Sequence, residues 1–211
     1  MVHDYCLIFL KMKKIKSNKQ DEKDISNLSF HPLTPGRWKD FEKLFGERGA
    51  CGGCWCMSWL LTRKEFDTNK GQGNKRKMKA LVNKKTEPGI IAYLGNEPIG
   101  WCAAAPREKY IRLENSKVLR SIDDLPVWSI PCFFIKKEFR RKGFSTEILK
   151  GAVEYCKRKG ASIVEGYPVE PYSENMPAAF AWTGFPSSFT KAGFVEVERR
   201  SRTRPIMRYY I

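Results

Sequence analysis

The sequence predicts an α/β (α+β) domain with helices packed on a central mixed sheet, and three observations carry that prediction. Strand-like and helix-like stretches alternate along most of the chain. A nearly all-apolar run, Val127 to Ile135, reads as a strand buried on both faces. Soon after it comes the clearest amphipathic helix, Ser145 to Lys159, in which Ile148, Leu149, Ala152, Val153 and Cys156 share one face. With 211 residues the chain can bury one core of ordinary size. Residues 1–24 read as a basic N-terminal extension and 25–211 as a single domain.

Leu28 to Leu33 has strand character. Thr34-Pro35 then opens a helix, with Thr as N-cap and Pro at the first helical position, and Trp38, Phe41, Leu44 and Phe45 fall on one face. A Gly-interrupted, Cys/Trp-rich segment spans Cys51 to Leu61. A second helix runs from Asn74 to about Lys85 on the stripe Met78, Leu81 and Val82, and Glu87-Pro88-Gly89 ends it. Ile90 to Leu94 and Ile99 to Ala105 flank a Gly95-Asn96-Glu97 turn and form a hairpin. Residues 107–126 make a polar connection with room for one short helix. Within Val127 to Ile135, Pro131 cannot donate to a ladder, so a local break in pairing is expected there. Gly160 caps the long helix. Ile163 to Val169 is the next strand, a short helix ends at Lys191, and Phe194 to Arg199 and Ile206 to Ile211 are the last two strands.

Composition excludes several classes. With 42% hydrophobic and 29% charged residues the chain is neither disordered nor collagen-like. No apolar run approaches the roughly 20 residues that cross a bilayer. Tyr5 to Leu10 is too short for a secretory signal, and its lysines follow the apolar run instead of preceding it. Seven cysteines, odd in number and scattered, fit a reducing cytoplasm. The net charge of +16 comes from four basic blocks, residues 1–20, 63–85, 136–159 and 191–211. Such a surface suits nucleic acid, an anionic membrane or a phosphorylated small molecule, or is merely well solvated.

The block at 136–159 differs from the others by its order. A buried strand runs into Lys136-Lys137-Glu138-Phe139 and then Arg140-Arg141-Lys142-Gly143-Phe144-Ser145 before the helix opens. A strand, a loop holding one glycine and a helix N-terminus together suit an anion, because unsatisfied backbone N–H groups converge there and the helix dipole favours negative charge. The same residues also read as a plain basic turn before an amphipathic helix.

This stretch resembles the GNAT superfamily of acyl-CoA-dependent N-acyltransferases, whose signature is Gln/Arg-x-x-Gly-x-Gly/Ala between the fourth strand and the third helix. Arg140 to Ser145 matches it with Ser145, a small residue, in the last place. The resemblance extends to the hairpin ending in Gly100-Trp101, the strand Val127 to Ile135, the helix after the loop, and Lys191-Ala192-Gly193-Phe194, which looks like the family's Gly-Phe turn into the sixth strand. It covers residues 28–211. It implies a single-domain GNAT-like fold: a central mixed, mostly antiparallel sheet flanked by helices and splayed between the fourth and fifth strands. It also implies acetyl-CoA as co-substrate. Backbone N–H groups of Arg141, Lys142, Gly143, Phe144 and Ser145 would hold the pyrophosphate, with charge from Arg140 and its neighbours. The main chain at Phe133, Phe134 and Ile135 would meet the pantetheine arm.

The resemblance implies an N-acetyltransferase that moves an acetyl group directly to a primary amine. The acceptor would be a small molecule or a peptide, with no nucleic acid or membrane partner, and the protein a monomer or homodimer. The chain departs from the family at Phe189, which stands where a Tyr often serves as general acid. The fourth strand offers no carboxylate either. Residues 165–174 carry three acids and no base, and are expected at or beyond the C-terminal end of the fifth strand as an acidic pocket for a cationic amine. Glu165 or Glu170 would take the amine's proton, and Tyr172 (or Tyr167) would supply one to sulfur. In Cys51-Gly52-Gly53-Cys54-Trp55-Cys56 only three of four zinc ligands are present, with Cys102 the sole available fourth, so no metal is expected. The segment instead reads as a turn whose Cys54, Trp55, Met57 and Trp59 wall the acceptor side, and Cys132 as a small buried hydrophobe. The missing Tyr and the charge leave one competing reading, a non-catalytic acyl-CoA-binding or nucleic-acid-binding protein of the same fold.

Overall fold

The computed structural model describes residues 26–171 and 181–211, so the extension at 1–24 lies outside the described residues. The described strands form two sheets. In the first, β1 (Leu28–Pro32), β2 (Gly89–Leu94), β3 (Glu97–Ala103) and β6 (Phe133–Ile135) lie in that order, each pair antiparallel. The second runs β4 (Ala105–Pro106), β5 (Trp128–Ile130), β7 (Ile163–Gly166), β9 (Pro205–Tyr210) and β8 (Val195–Arg199); only β5 and β7 pair in parallel. The architecture is mixed, mostly antiparallel and flanked by helices, as the sequence predicts.

The apolar run Val127 to Ile135 supplies both β5 and β6, so its two halves belong to different sheets. Pro131 and Cys132 stand between them. Pro131 brings no N–H to a ladder, while the Cys132 carbonyl still accepts from the Ala103 N–H at 2.9 Å. Because β7 follows β5 and not β6, the two sheets part at this break. The local break expected at Pro131 is therefore the splay of the whole fold.

The helices are α1 (Trp38–Phe45), α2 (Arg63–Thr68), α3 (Gln72–Asn83), α4 (Ile111–Glu114), α5 (Phe144–Arg158) and α6 (Pro186–Lys191). In α1, Trp38, Phe41, Leu44 and Phe45 are all buried, and Phe41 meets the fully buried Trp101 of β3 edge-on at 4.9 Å. Helix α5 lies on the opposite side of the first sheet. It comes close because two glycines remove side chains from the contact: a Cβ on Gly151 would stand 2.5 Å from the Phe30 ring, and one on Gly100 would stand 2.7 Å from Ile148. Helix α2 is absent from the sequence reading, since its residues form no apolar stripe. Its one local sign is the capping box between Thr62 and Glu65, in which each side chain satisfies the other's backbone N–H. The strand expected over Ile163 to Val169 ends at Gly166.

Among the described residues, no helix is long and apolar enough to cross a membrane, and no group of His, Cys, Asp or Glu is arranged to hold a metal ion.

Candidate functional site

The N-terminus of α5 is where the basic loop acquires a shape. Arg141 adopts φ +62 and Gly143, the N-cap, φ +84. The second value is far easier for glycine, which has no Cβ to clash. No side chain caps the helix, and among the described residues the backbone N–H groups of Arg141, Lys142, Gly143, Phe144 and Ser145 make no hydrogen bond. Five free donors at the positive end of a fifteen-residue helix make a cradle that would suit an anion. Phe144 is buried beneath it, its ring edge-on to Phe139 at 5.9 Å. The Ser145 hydroxyl lies 3.0 Å from that of Ser188, which ties the cradle to α6. Arg140 turns back toward β6, where its Nε donates to the Ile135 carbonyl at 2.8 Å and its guanidinium lies over the Phe134 ring.

Register decides which way β6 presents its backbone. Lys136 N–H bonds to Ile99 and Ala103 N–H to Cys132, so Phe134 pairs with Trp101 inside the ladder while Phe133 and Ile135 turn their N–H and C=O groups to the splay. The Phe133 N–H is taken by the Trp182 carbonyl at 2.9 Å. The Phe133 carbonyl and the Ile135 N–H have no partner among the described residues. Phe189 stands behind this edge, fully buried, 6.1 Å from the Phe133 ring and 5.0 Å from Phe194.

On the other face of β6 lies a pocket of about 160 Å³ lined by residues of the Cys51 to Ser58 segment, by Phe45 and Phe66, by Cys132, Phe133 and Phe134, and by Trp182. Of the four residues expected to wall the acceptor side, Cys54 lines this pocket, whereas Trp55, Met57 and Trp59 are buried in the core. No charged side chain is among the lining residues, and of the expected acidic stretch 165–174, Tyr172, Ser173 and Glu174 lie outside the described residues. All described cysteines are free thiols. Burial pushes Cys54 up to about 12. Cys56 is held below the usual thiol range by donors from Cys132 and Trp101, and Cys132 is driven up by the same contact and by burial.

The three residues named for proton transfer fall in different places. Tyr172 lies outside the described residues. Glu170 is partly exposed and pairs with Arg199 at 3.1 Å. Glu165 is not at the end of its strand but inside β7, 1% exposed. One of its oxygens accepts from Arg107 at 3.0 Å and from the Tyr167 hydroxyl at 2.7 Å, and the other from Arg208 at 2.8 Å. Arg208 also holds Asp123 through two nitrogens, at 2.6 and 2.9 Å, and the Tyr167 hydroxyl lies 2.7 Å from Ser129. Burial and the neighbouring Glu165 push the Tyr167 phenol well up. The sequence reading has no place for Arg107 or Arg208: each sits in a basic chain among many like it, and no local pattern marks them.

The chain matches the family model described as the acetyltransferase (GNAT) family over residues 56–185, more than half its length. Among solved structures it is similar in fold to a GNAT-family acetyltransferase from Listeria monocytogenes, at 7% identity and a TM-score of 0.53, covering 87% of this chain and 95% of that one. The PaiA N-acetyltransferase of Thermoplasma acidophilum in complex with coenzyme A gives 14% identity and a TM-score of 0.49, over 87% of this chain and 99% of that one. No curated protein matches the sequence. With its splayed sheet, its glycine-capped helix and that family match, the chain belongs to the GNAT family of acetyltransferases.

Proposed function

We propose that the protein transfers the acetyl group of acetyl-CoA directly to a primary amine. The observation that carries this is the row of five free N–H groups from Arg141 to Ser145 beside the break in the sheet. They would hold the pyrophosphate of acetyl-CoA, with Arg141 and Lys142 supplying charge; the bound cofactor would supply an activated acyl group as a thioester. The Phe133 carbonyl and Ile135 N–H would take the amide groups of the pantetheine arm, with Phe134 beneath and Arg140 anchoring the edge at the Ile135 carbonyl.

Proton traffic needs a group that can change its charge. Glu165 has both oxygens engaged by guanidinium groups, so we assign it to positioning: it fixes Arg107, Arg208 and Tyr167 behind the splay. Glu170 meets solvent, and we assign to it, acting through water, the removal of the proton from the amine. Tyr172 is the proton donor to the departing thiolate. The apolar, sulfur-rich pocket behind β6 supports an acceptor whose amine sits beside an apolar group, whether a small molecule or a peptide.

The test has two arms. Acetyl-CoA should raise the melting temperature, by the equivalent of about 2.7 kcal/mol at a concentration 100 times its dissociation constant. Thiol release should then depend on an amine from a panel of arylalkyl, amino-acid and polyamine acceptors. Stabilisation without thiol release for any amine would favour a non-catalytic acyl-CoA-binding protein, and no stabilisation at all would remove the basis of the proposal.

A further inference from the structure

The proposed transfer leaves unused an unusual pair of thiols in the pocket wall. Cys56 follows Trp55 in the turn after the short helix Cys51–Gly53, with φ of +57 and +43. Two consecutive non-glycine residues in the left-handed region carry strain of order 1–3 kcal/mol each, kept only where the surroundings hold it. Here the hold is visible. Trp55 is 1% exposed and stacks on Phe45 at 5.7 Å, and Trp101 Nε1 donates to the Cys56 sulfur at 3.1 Å.

Cys132, in the two-residue break between β5 and β6, is the neighbouring thiol whose titration is linked to that of Cys56. Both cysteines line the same pocket, so a small molecule entering it reaches them. The indole N–H stabilises the Cys56 anion and so raises the fraction of thiolate that can attack, while Cys132 faces the same pocket to resolve what Cys56 has captured. Cys51 and Cys54 share the pocket wall but lack this arrangement: Cys54 donates to the Gly49 carbonyl, and Cys51 is exposed.

We infer that Cys56 and Cys132 form a dithiol site that exchanges with small disulfides. The Cys56 sulfur attacks one sulfur of a disulfide RSSR. The S–S bond breaks, one RSH leaves with the proton Cys56 has given up, and a mixed disulfide remains on Cys56. The Cys132 sulfur then attacks the Cys56 sulfur, and the second RSH leaves with the Cys132 proton. Two protein thiols are oxidised to one disulfide, and one disulfide is reduced to two thiols. The new bond ties the strained turn to the break in the sheet, across the space the acceptor would fill. Formation of the bond is independent of the acetyltransferase reading; its effect on transfer rests on that reading.

The experiment uses the full chain, reduced, desalted and diluted, then exposed to 2-hydroxyethyl disulfide and digested without reductant for peptide mass spectrometry. The expected product is a linked pair of peptides carrying Cys56 and Cys132, lighter by two hydrogens than the separate thiol peptides and separated by dithiothreitol. It should persist in Cys51→Ser and Cys54→Ser, whereas Cys132→Ser should stop at the mixed disulfide on Cys56. A dominant link among Cys51, Cys54 and Cys56, a mixed disulfide that persists in the wild-type protein, or no reaction would overturn the inference, and the wild-type map decides this even if a variant fails to fold. With an amine the reduced protein accepts, the linked protein should lose most of its transfer rate and regain it with dithiothreitol. An unchanged rate would overturn the effect on transfer and leave the exchange chemistry standing. If the reduced protein accepts no amine, the acetyltransferase reading falls while the peptide map still decides the dithiol.

Discussion

Replacing Glu165 by Gln keeps the shape of the side chain and removes its charge from between two guanidinium groups. In the native protein its oxygens accept from Arg107, Arg208 and Tyr167 at 3.0, 2.8 and 2.7 Å, and it is 1% exposed. Breaking a buried ion pair from one side costs about 3–5 kcal/mol, because the remaining charge stays out of water without its counterion. Two features place this case at the lower end. Arg208 keeps both bonds to Asp123, and Arg107 keeps the Leu119 carbonyl and Glu114. Against that, the amide nitrogen of Gln must face a guanidinium nitrogen on one side. A loss of about 3 kcal/mol follows, equivalent to roughly 6–12 °C in melting temperature for a domain of this size. Urea denaturation and thermal melts at neutral pH measure it directly. A shift under about 1 kcal/mol would refute the reasoning, since a surface carboxylate behaves that way. So would a variant that melts with the wild type yet transfers slowly at neutral pH and recovers as the pH rises, because that is the signature of a catalytic base.

Tyr167→Phe removes a hydroxyl that meets Ser129, Glu165 and Arg107, and should cost about 1–3 kcal/mol in a urea titration. Gly143→Val puts a β-branched residue at φ +84 in the anion cradle; thermal melts of this variant should show little or no stabilisation by acetyl-CoA. Arg208 holds the Asp123 carboxyl below its ordinary 3.8. A depressed folded-state pKa contributes stability above the unfolded value that is lost as the pH falls through the folded one, so stability should decline below pH about 4. In Asp123→Asn that part of the acid limb should be missing, and the two stability curves should converge at low pH.

Much of the fold is legible in short stretches of sequence. The apolar period of α5, the Thr34-Pro35 helix start and the Gly95-Asn96 turn are each local statements about backbone geometry and one buried face, and each stands where the sequence places it. Pro131 marks a break because a missing N–H is also a local property. That the two halves of its strand enter different sheets is a matter of which partners they find, β3 for one and β7 for the other, and no property of residues 127–135 specifies that. Helix α2 escapes the same reading because it buries no stripe.

The site divides along the same line. The loop proposed to hold an anion is legible as a glycine-led helix start because glycine, basic residues and the helix are contiguous there. Glu165 is less legible, since an isolated glutamate looks alike whether it meets water or two arginines. Glu165 is 58 residues from Arg107 and 43 from Arg208, and only the sheet register, with Ser129 opposite Glu165 and Glu165 opposite Arg208, brings them together. Cys56 and Cys132 likewise come to line one pocket from segments far apart in the chain. Periodicity, caps and backbone freedom act over a few residues and are written in order along the chain. Charge neutralisation and thiol pairing act through space, and the contacts they require exist only once the strands have chosen their neighbours.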